Sequence, residues 1–191
     1  MDQKALILID YNNDICHKDG KLAGCYTMLA ENNIIEKVNN LIRYARLHKI
    51  LLIWINVVFD ENYLLANSNS KIFSNAKRLN ALKRGTWGSE ILDTLDYQVN
   101  DILIEKHAVN PFYATSLDHV LKINNINEIY VAGVSTEIAV QSCARDAHDR
   151  GYKVNVIADC CASRNIEYHN NSLEIINIFA NVVTSDYILN S

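Results

Sequence analysis

Residues 128–158 read EIYVAGVSTEIAVQSCARDAHDRGYKVNVIA, and this stretch decides the fold. It opens on an apolar, β-branched run (128–133), passes through Gly133 into a helical pattern over 137–150, turns at Gly151 and closes on a second apolar run (153–158). Glycine accepts the left-handed backbone at a helix end cheaply, so Gly151 suits the stop. Runs that are nearly continuous rather than alternating suit strands covered on both faces, as in parallel sheets. The unit repeats outward. Apolar runs at 4–9, 50–59 and 101–105 precede it, and a weaker one, 182–185 with Tyr187 and Ile188, closes the chain. Ile34, Ile35, Val38, Leu41, Ile42 and Ala45 recur at helical spacing, as do Leu117, Val120 and Leu121 within 115–123 and Leu173, Ile176 and Phe179 within 166–180. The expectation is an α/β fold, a doubly wound, six-stranded, mostly parallel sheet with helices on both faces and right-handed crossovers. Residues 62–95 break the rhythm. They are polar, carry Arg84-Gly85-Thr86-Trp87-Gly88, and are expected to form a lid of loops and short helices on a single domain spanning 1–191.

Composition narrows the function. The chain has 191 residues, 49% hydrophobic and 21% charged, which is enough for one apolar core and argues against intrinsic disorder. Eighteen basic residues against 22 acidic give a net charge of −4 with no basic cluster, so nucleic acid is not expected as a partner. Met1-Asp2-Gln3-Lys4 leads straight into the short run 5–9, too short for a signal peptide or a membrane span, so neither a leader nor a membrane partner is expected. The cysteines (Cys16, Cys25, Cys143, Cys160, Cys161) are odd in number and form no C-x-x-C pair, the pattern of a reduced, cytoplasmic protein. No two of the six histidines (17, 48, 107, 119, 148, 169) have the spacing of a metal-ligand pair, so no metal and no cofactor is expected.

In open parallel sheets ligands sit beyond the carboxyl ends of the strands, where strand order reverses. The first run ends in Asp10, the third in Lys106, and the fourth in Gly133-Val134-Ser135-Thr136-Glu137 at a helix start. An aspartate, a lysine and unpaired helix N–H groups converge there if these strands are neighbours. Each also has a plain structural reading: a turn aspartate, a surface lysine, a tight turn. Tyr11, Trp87, Phe112 and Tyr113 are candidates to wall a pocket with aromatic surface or to pack ordinarily. Asn12 and Asn13 either offer amide hydrogen bonds to a ligand or turn the chain.

Taken in order, these blocks resemble the isochorismatase-like cysteine hydrolase superfamily, which includes nicotinamidases and N-carbamoylsarcosine amidases. The likeness rests on residues 5–10 with Asn13-Asp14, on Arg84-Gly85-Thr86-Trp87-Gly88-Ser89-Glu90-Ile91, and on Lys106-His107 with Phe112 and Thr115. It rests most on 131–140 continuing through Ala144-Arg145-Asp146-Ala147, and is completed by Asp159-Cys160-Cys161-Ala162-Ser163 and His169. It implies a Rossmann-like three-layer α/β/α fold and a Cys–Asp–Lys triad that hydrolyses a C–N bond of a small amide, ureido or lactam-like substrate through a thioester. Asp10 falls on the acid–base position, Lys106 on the lysine position, and the backbone N–H groups of Ser135 and Ala139 on the oxyanion hole. The resemblance also implies a cis peptide at Val134–Ser135, substrate contacts from Tyr11, Asn13, Trp87, Phe112, Tyr113 and Thr136, and a homo-oligomer (dimer or tetramer). Metal-containing nicotinamidases carry an Asp-x-His after the second strand; here Trp54-Ile55-Asn56-Val57-Val58-Phe59-Asp60 has no histidine, which points away from that branch.

One position departs from the pattern. The nucleophile position is Ala139, which has no nucleophile, so the chain as written is expected to be inactive or severely impaired. Cys143 lies one turn on, about 6 Å of axial rise away, too far for an attack that needs contact near ~3–3.5 Å. Three accounts follow from Ala139: a Cys→Ala replacement in an otherwise competent amidase, an isochorismatase-type vinyl ether hydrolase using Asp10 as acid, and a non-catalytic homologue that binds a small molecule or partner.

Overall fold

The β-branched runs form one parallel sheet in the computed structural model, which describes residues 3–190. In chain order the elements are β1 (Gln3–Ile9), α1 (Asn13–Cys16), α2 (Tyr26–Glu31), α3 (Ile34–Leu47), β2 (Leu51–Val57), α4 (Lys71–Arg78), β3 (Ile102–Lys106), α5 (Leu117–Ile123), β4 (Ile126–Val134), α6 (Gln141–Asp149), β5 (Lys153–Ala162), α7 (Ile166–Ile176), β6 (Asn181–Val183) and α8 (Ser185–Leu189). The strand order is β3-β2-β1-β4-β5-β6, and every pair is parallel. From β1 the chain winds outward through β2 to β3; from β4 it winds the other way through β5 to β6. Right-handed crossovers in opposite directions put helices on opposite faces. Accordingly α3 packs with α8, and α6 with α7.

The apolar runs are buried on both faces, as their lack of alternation requires: Ala5, Ile7, Leu8 and Ile9 of β1 are fully covered. Ile34, Val38, Leu41, Ile42 and Ala45 form the buried stripe of α3. Gly151 sits at φ +87° just past α6, the left-handed conformation its position called for.

Several boundaries differ from the sequence reading: the helix read over 166–180 ends at Ile176, and the run at 50–59 is strand over Leu51–Val57. The run at 153–158 continues to Ala162. The helix over 137–150 begins with a wide π-type turn, Thr136–Val140, before α6 proper. The run at 182–188 is strand only to Val183 and helix from Ser185. The last change has a local cause. Thr184 Oγ1 accepts the Tyr187 N–H (3.4 Å), and both the Ser185 N–H and its hydroxyl donate to Asp159 at 2.7 Å, which fixes a helix start where residue types alone suggest a strand.

The 62–95 segment holds α4, capped by Ser70 Oγ on the Phe73 N–H, and a 3₁₀ turn, Trp87–Ser89. Phe59, Tyr63, Phe73, Ala76 and Leu82 form a second, smaller core beneath it. Asp14 ties this region to α1: its buried carboxylate accepts the Leu82 N–H (2.7 Å) and, from the following loop, the Lys21 N–H (3.1 Å). A Cβ on Gly88 would lie 2.1 Å from Asp14 Oδ2. Because that carboxylate is held on two sides, Gly88→Ala is expected to destabilise the fold by about 1–3 kcal/mol or more, the range for overpacking. Urea denaturation checks this, and an unchanged midpoint would show that Asp14 can move aside freely.

Away from the switch point, Glu128 is buried with Lys153 Nζ and Asn155 Nδ2 each 3.0 Å from Oε1, and Lys4 Nζ 3.9 Å from Oε2. Burial pushes its carboxyl up, but the hydrogen bonds from Lys153 and Asn155 and the positive charges outweigh that and hold it below the ordinary glutamate value. A carboxylate depressed in the folded state stabilises above its unfolded pKa and loses that contribution as pH falls through its folded pKa. Glu128→Gln is therefore expected to narrow the stability lost on acidification below about pH 4.5, followed by denaturation at stepped pH; parallel curves for both proteins would contradict it.

Candidate active site

The sheet places three elements at one crevice. Strand order reverses between β1 and β4, whose ends pair at Ile9 and Gly133, and β3 ends beside β2 with Lys106 paired to Val57. Asp10 follows β1 at φ +56°, its N–H donating to Ile55 O at 2.8 Å. Aspartate tolerates this left-handed conformation better than most residues. On the other side, a Cβ on Gly133 would lie 2.5 Å from Ile9 O, so only glycine lets β1 and β4 close up at this level. The next peptide, Val134–Ser135, is cis and leads into the π-type turn that carries Ala139.

Asp10 and Lys106 form an ion pair in the interior. Oδ2 lies 2.7 Å from Lys106 Nζ, and the side chains are 6% and 2% exposed, so water screens little of the interaction. Asp10 Oδ1 accepts the Val57 N–H at 2.9 Å, and Lys106 Nζ also donates to Ala108 O at 3.0 Å. Burial raises the Asp10 carboxyl above the ordinary aspartate value; the Lys106 charge and hydrogen bond and the Val57 N–H pull it back without cancelling the rise. That balance suits a group that takes up and returns a proton.

Asp10, Lys106, Val134, Ser135 and Ala139 all line a cavity of about 680 Å³, within the range of small-molecule sites. Ala139 presents its methyl group to this space, 3% exposed. Behind it, Thr136 Oγ1 is 2.9 Å from His169 Nδ1, and the Ser163 hydroxyl donates to the Glu137 carboxylate, so two side-chain bonds brace the turn from α7 and from the residue that follows β5. Burial holds the His169 imidazole below its ordinary pKa, with the Glu137 charge opposing it.

The six residues expected to contact substrate do not line this cavity. Tyr11 is buried, its hydroxyl donating to Cys160 O under β5. Asn13 is buried and donates to Trp87 O at 2.9 Å; Trp87 itself meets the His17 ring edge-on. Phe112 packs on Tyr152 beneath the Arg150 guanidinium, Tyr113 is exposed, and Thr136 is turned to His169. None of them is among the cavity-lining residues. The cavity wall instead uses Cys25, Phe73, Glu137, Ile138, Lys71 and Arg164. Glu137 was readable from its place at the helix start. Ile138 sits beside it in the same turn; the remaining four come from loops and from α4, and no spacing rule marks them.

The thiols are poor substitutes for a nucleophile at position 139. Cys143 is fully buried and burial pushes its thiol far up. Cys25 reaches the cavity, but burial and the Glu137 charge raise it to about 12, which leaves on the order of 10⁻⁵ of it as thiolate at pH 7. Among the described residues no group of three or more histidine, cysteine, aspartate or glutamate side chains is placed to hold a metal ion, and no helix is long and apolar enough to cross a membrane.

Comparison with known proteins agrees with this architecture. A family model for the isochorismatase domain matches residues 4–187. A ureidoacrylate amidohydrolase, RutB, of Methylorubrum extorquens is 29% identical over 174 residues, covering 83% of this chain and 69% of that protein. An isochorismatase-like hydrolase from Alkaliphilus metalliredigens superposes with a TM-score of 0.83 at 28% identity, over 98% of both chains. The N-carbamoylsarcosine amidase of Thermoplasma acidophilum superposes with a TM-score of 0.78 at 26% identity, over 96% of this chain and 97% of the other.

Proposed function

The chain belongs to the isochorismatase family, and from that premise we propose that its crevice is the acyl-transfer site of a small-amide or ureido hydrolase whose nucleophile position is held by Ala139. One observation carries the reading: a buried Asp10–Lys106 ion pair and residue 139, from three separate strand ends, line one cavity. A buried ion pair is a weak source of stability, since an apolar pair of similar volume often serves the fold as well or better. Its place in a ligand-sized cavity therefore favours a chemical task.

The atoms suit that task in a definite way. With a thiol at position 139, Asp10 accepts its proton, aided by the carboxyl's raised affinity for one, and Lys106 holds the carboxylate and favours the thiolate. Sulfur bonds to the amide carbon, the C–N bond breaks, and the proton passes from Asp10 to the leaving nitrogen. Water then adds to the thioester carbon, releasing the acid and the thiol. Backbone N–H groups at Ser135 and Ala139 are the proposed donors to the oxyanion. The methyl group of Ala139 removes the bond-forming atom and little of the binding surface, so the chain as written binds its substrate and turns it over only residually.

The test is Ala139→Cys assayed for ammonia release on small primary amides and ureido acids. Turnover that appears with the cysteine and is lost again in Ala139→Cys/Asp10→Asn supports the reading; a folded Ala139→Cys protein inert to the whole panel sinks it. The raised Asp10 carboxyl also favours a second reading, in which a protonated Asp10 acts as acid on a vinyl ether. Isochorismate cleaved by the chain as written, and not by Asp10→Asn, would favour that branch.

A further inference from the structure

The site has two halves that meet where strand order reverses. Asp10 and Lys106 come from the β1–β3 side; residue 139 comes from the turn after β4, which runs directly into α6. Lys106 Nζ has Asp10 Oδ2 at 2.7 Å and Ala108 O at 3.0 Å. The second partner is a backbone oxygen within residues 107–116, which form neither helix nor strand, so its place depends on what holds that loop. His107 Nδ1, 2.7 Å from Val58 O, ties down the start. Asn110 ties down the middle: its Nδ2 donates to Asp146 Oδ2 of α6 at 2.6 Å, and its Oδ1 accepts the Phe112 N–H at 2.8 Å. Among the described residues no other side-chain hydrogen bond joins this loop to α6. The acceptor is itself fixed. Asp146 Oδ1 takes the Arg150 Nε–H at 2.5 Å, and the Arg150 guanidinium lies over the Phe112 ring, 4.9 Å from its centroid. Val109, between the two anchored residues, lines the cavity.

Resting on the hydrolase reading above, we infer that Asn110 and Asp146 are positioning residues: their hydrogen bond tethers the Lys106 loop to the helix that follows residue 139, and so fixes the ammonium relative to the nucleophile position. Neither side chain lines the cavity, so both act through Lys106 and not on substrate. The bond spans the crevice, joining the half that carries the acid–base pair to the half that carries the bond-forming position. Without it, Ala108 O is free to drift, and Lys106 keeps Asp10 as its one fixed partner. A misplacement of about 1 Å in such a site costs on the order of 100-fold in rate.

Asp10 is faced by the Lys106 ammonium and by the thiols of Cys16 and Cys143, which burial keeps protonated, so its titration reports where Lys106 stands. The first measurement uses the protein as it stands, with Ala139: carbon-13 NMR of the Asp10 carboxyl in the parent and in Asn110→Leu. Loss of the tether is expected to move that titration up by about one pH unit, because the ammonium no longer holds the carboxylate as closely. In Ala139→Cys the same substitution is expected to lower kcat about 10- to 100-fold with KM within about twofold, and to move the acid limb of the rate upward with the carboxyl. Exchanging the two groups is the specific control. Asn110→Asp alone sets two carboxylates against each other; Asn110→Asp/Asp146→Asn reverses donor and acceptor, restores the bond, and is expected to recover most of the rate and the parent titration. Denaturation curves show which variants fold, and the exchange keeps the test open should Asn110→Leu not. An unmoved Asp10 titration in folded Asn110→Leu, or an exchange that recovers stability but neither titration nor rate, overturns the inference. The failures are separable. A shifted titration beside an Ala139→Cys protein inert to every amide leaves the tether standing and defeats the hydrolase reading, whereas Ala139→Cys turnover that Asn110→Leu leaves unchanged defeats the tether alone.

Discussion

Ala139→Cys is expected to raise amide turnover by about 10⁴- to 10⁶-fold over the chain as written, the span lost when the nucleophile is removed from comparable covalent catalytic units. The argument is geometric. Residue 139 lies on the cavity wall, in the turn that follows the cis peptide, and the Asp10–Lys106 pair lines the same cavity. A sulfur atom is a small addition there: one heavy atom beside a cavity of about 680 Å³. On the proposed reading, the substitution supplies the missing atom beside the Asp10–Lys106 pair. The gain is expected in kcat, with KM for the best substrate close to the dissociation constant of the alanine protein, because a methyl group and a thiol offer similar ground-state contact. Ammonia release under saturating substrate reads the first quantity and titration of the alanine protein the second. The rate of the cysteine protein is also expected to climb with pH through the raised Asp10 carboxyl, since only the ionised form can accept the thiol proton.

Lys106→Met carries the largest expected cost in stability. Methionine fits the volume, but it leaves Asp10, 4% exposed, with only the Val57 N–H for company. Removing one partner of a buried pair typically destabilises by about 3–5 kcal/mol, because the remaining charge is left uncompensated. The sign with pH is diagnostic. Without the lysine, the Asp10 carboxyl rises further above its unfolded value, near the 3.8 of an ordinary aspartate. A group raised in the folded state gives stability that is present below the unfolded pKa and is lost as pH rises through the folded one. Lys106→Met is therefore expected to come closest to the parent in stability at acidic pH and to fall furthest behind at neutral pH. Asp10→Asn in the same protein, which removes the orphaned charge, is expected to recover part of the loss. Urea midpoints across pH 4–8 for the parent and the two variants check both statements, and a deficit independent of pH would mean that Asp10 is not left charged.

The legible part of this protein is the part written in repeated local signals. The unbroken run Ala5–Ile9 reads as a strand covered on both faces, and once 128–158 is read as strand–helix–strand, the crevice beside Asp10 follows from topology. Asp10, Lys106 and the turn at 133–139 were placed because each terminates a strand, where the backbone dictates direction. Which aromatic residues wall the cavity was not legible, for the opposite reason. Tyr11 and Phe112 are next to site residues in sequence, but residue type does not say which face a side chain takes, and both turned into the core. Arg164 and Lys71 gave no signal at all, since their position depends on how a loop and an isolated helix fold over the cavity. The end of the chain was misread at Thr184-Ser185, where capping by Thr184 and the side-chain bonds to Asp159 outweighed β-branched composition.

The central claim is that residue 139 stands where a covalent bond to substrate would form, and intact-protein mass spectrometry of Ala139→Cys, quenched with acid during turnover of an amide substrate and followed by peptide mapping, tests it most directly. The expected result is an acyl adduct on the peptide bearing residue 139, absent from the alanine protein and accumulating when water attack is slowed. No adduct during measurable turnover, or an adduct on Cys16, Cys25, Cys143, Cys160 or Cys161 instead, would contradict it.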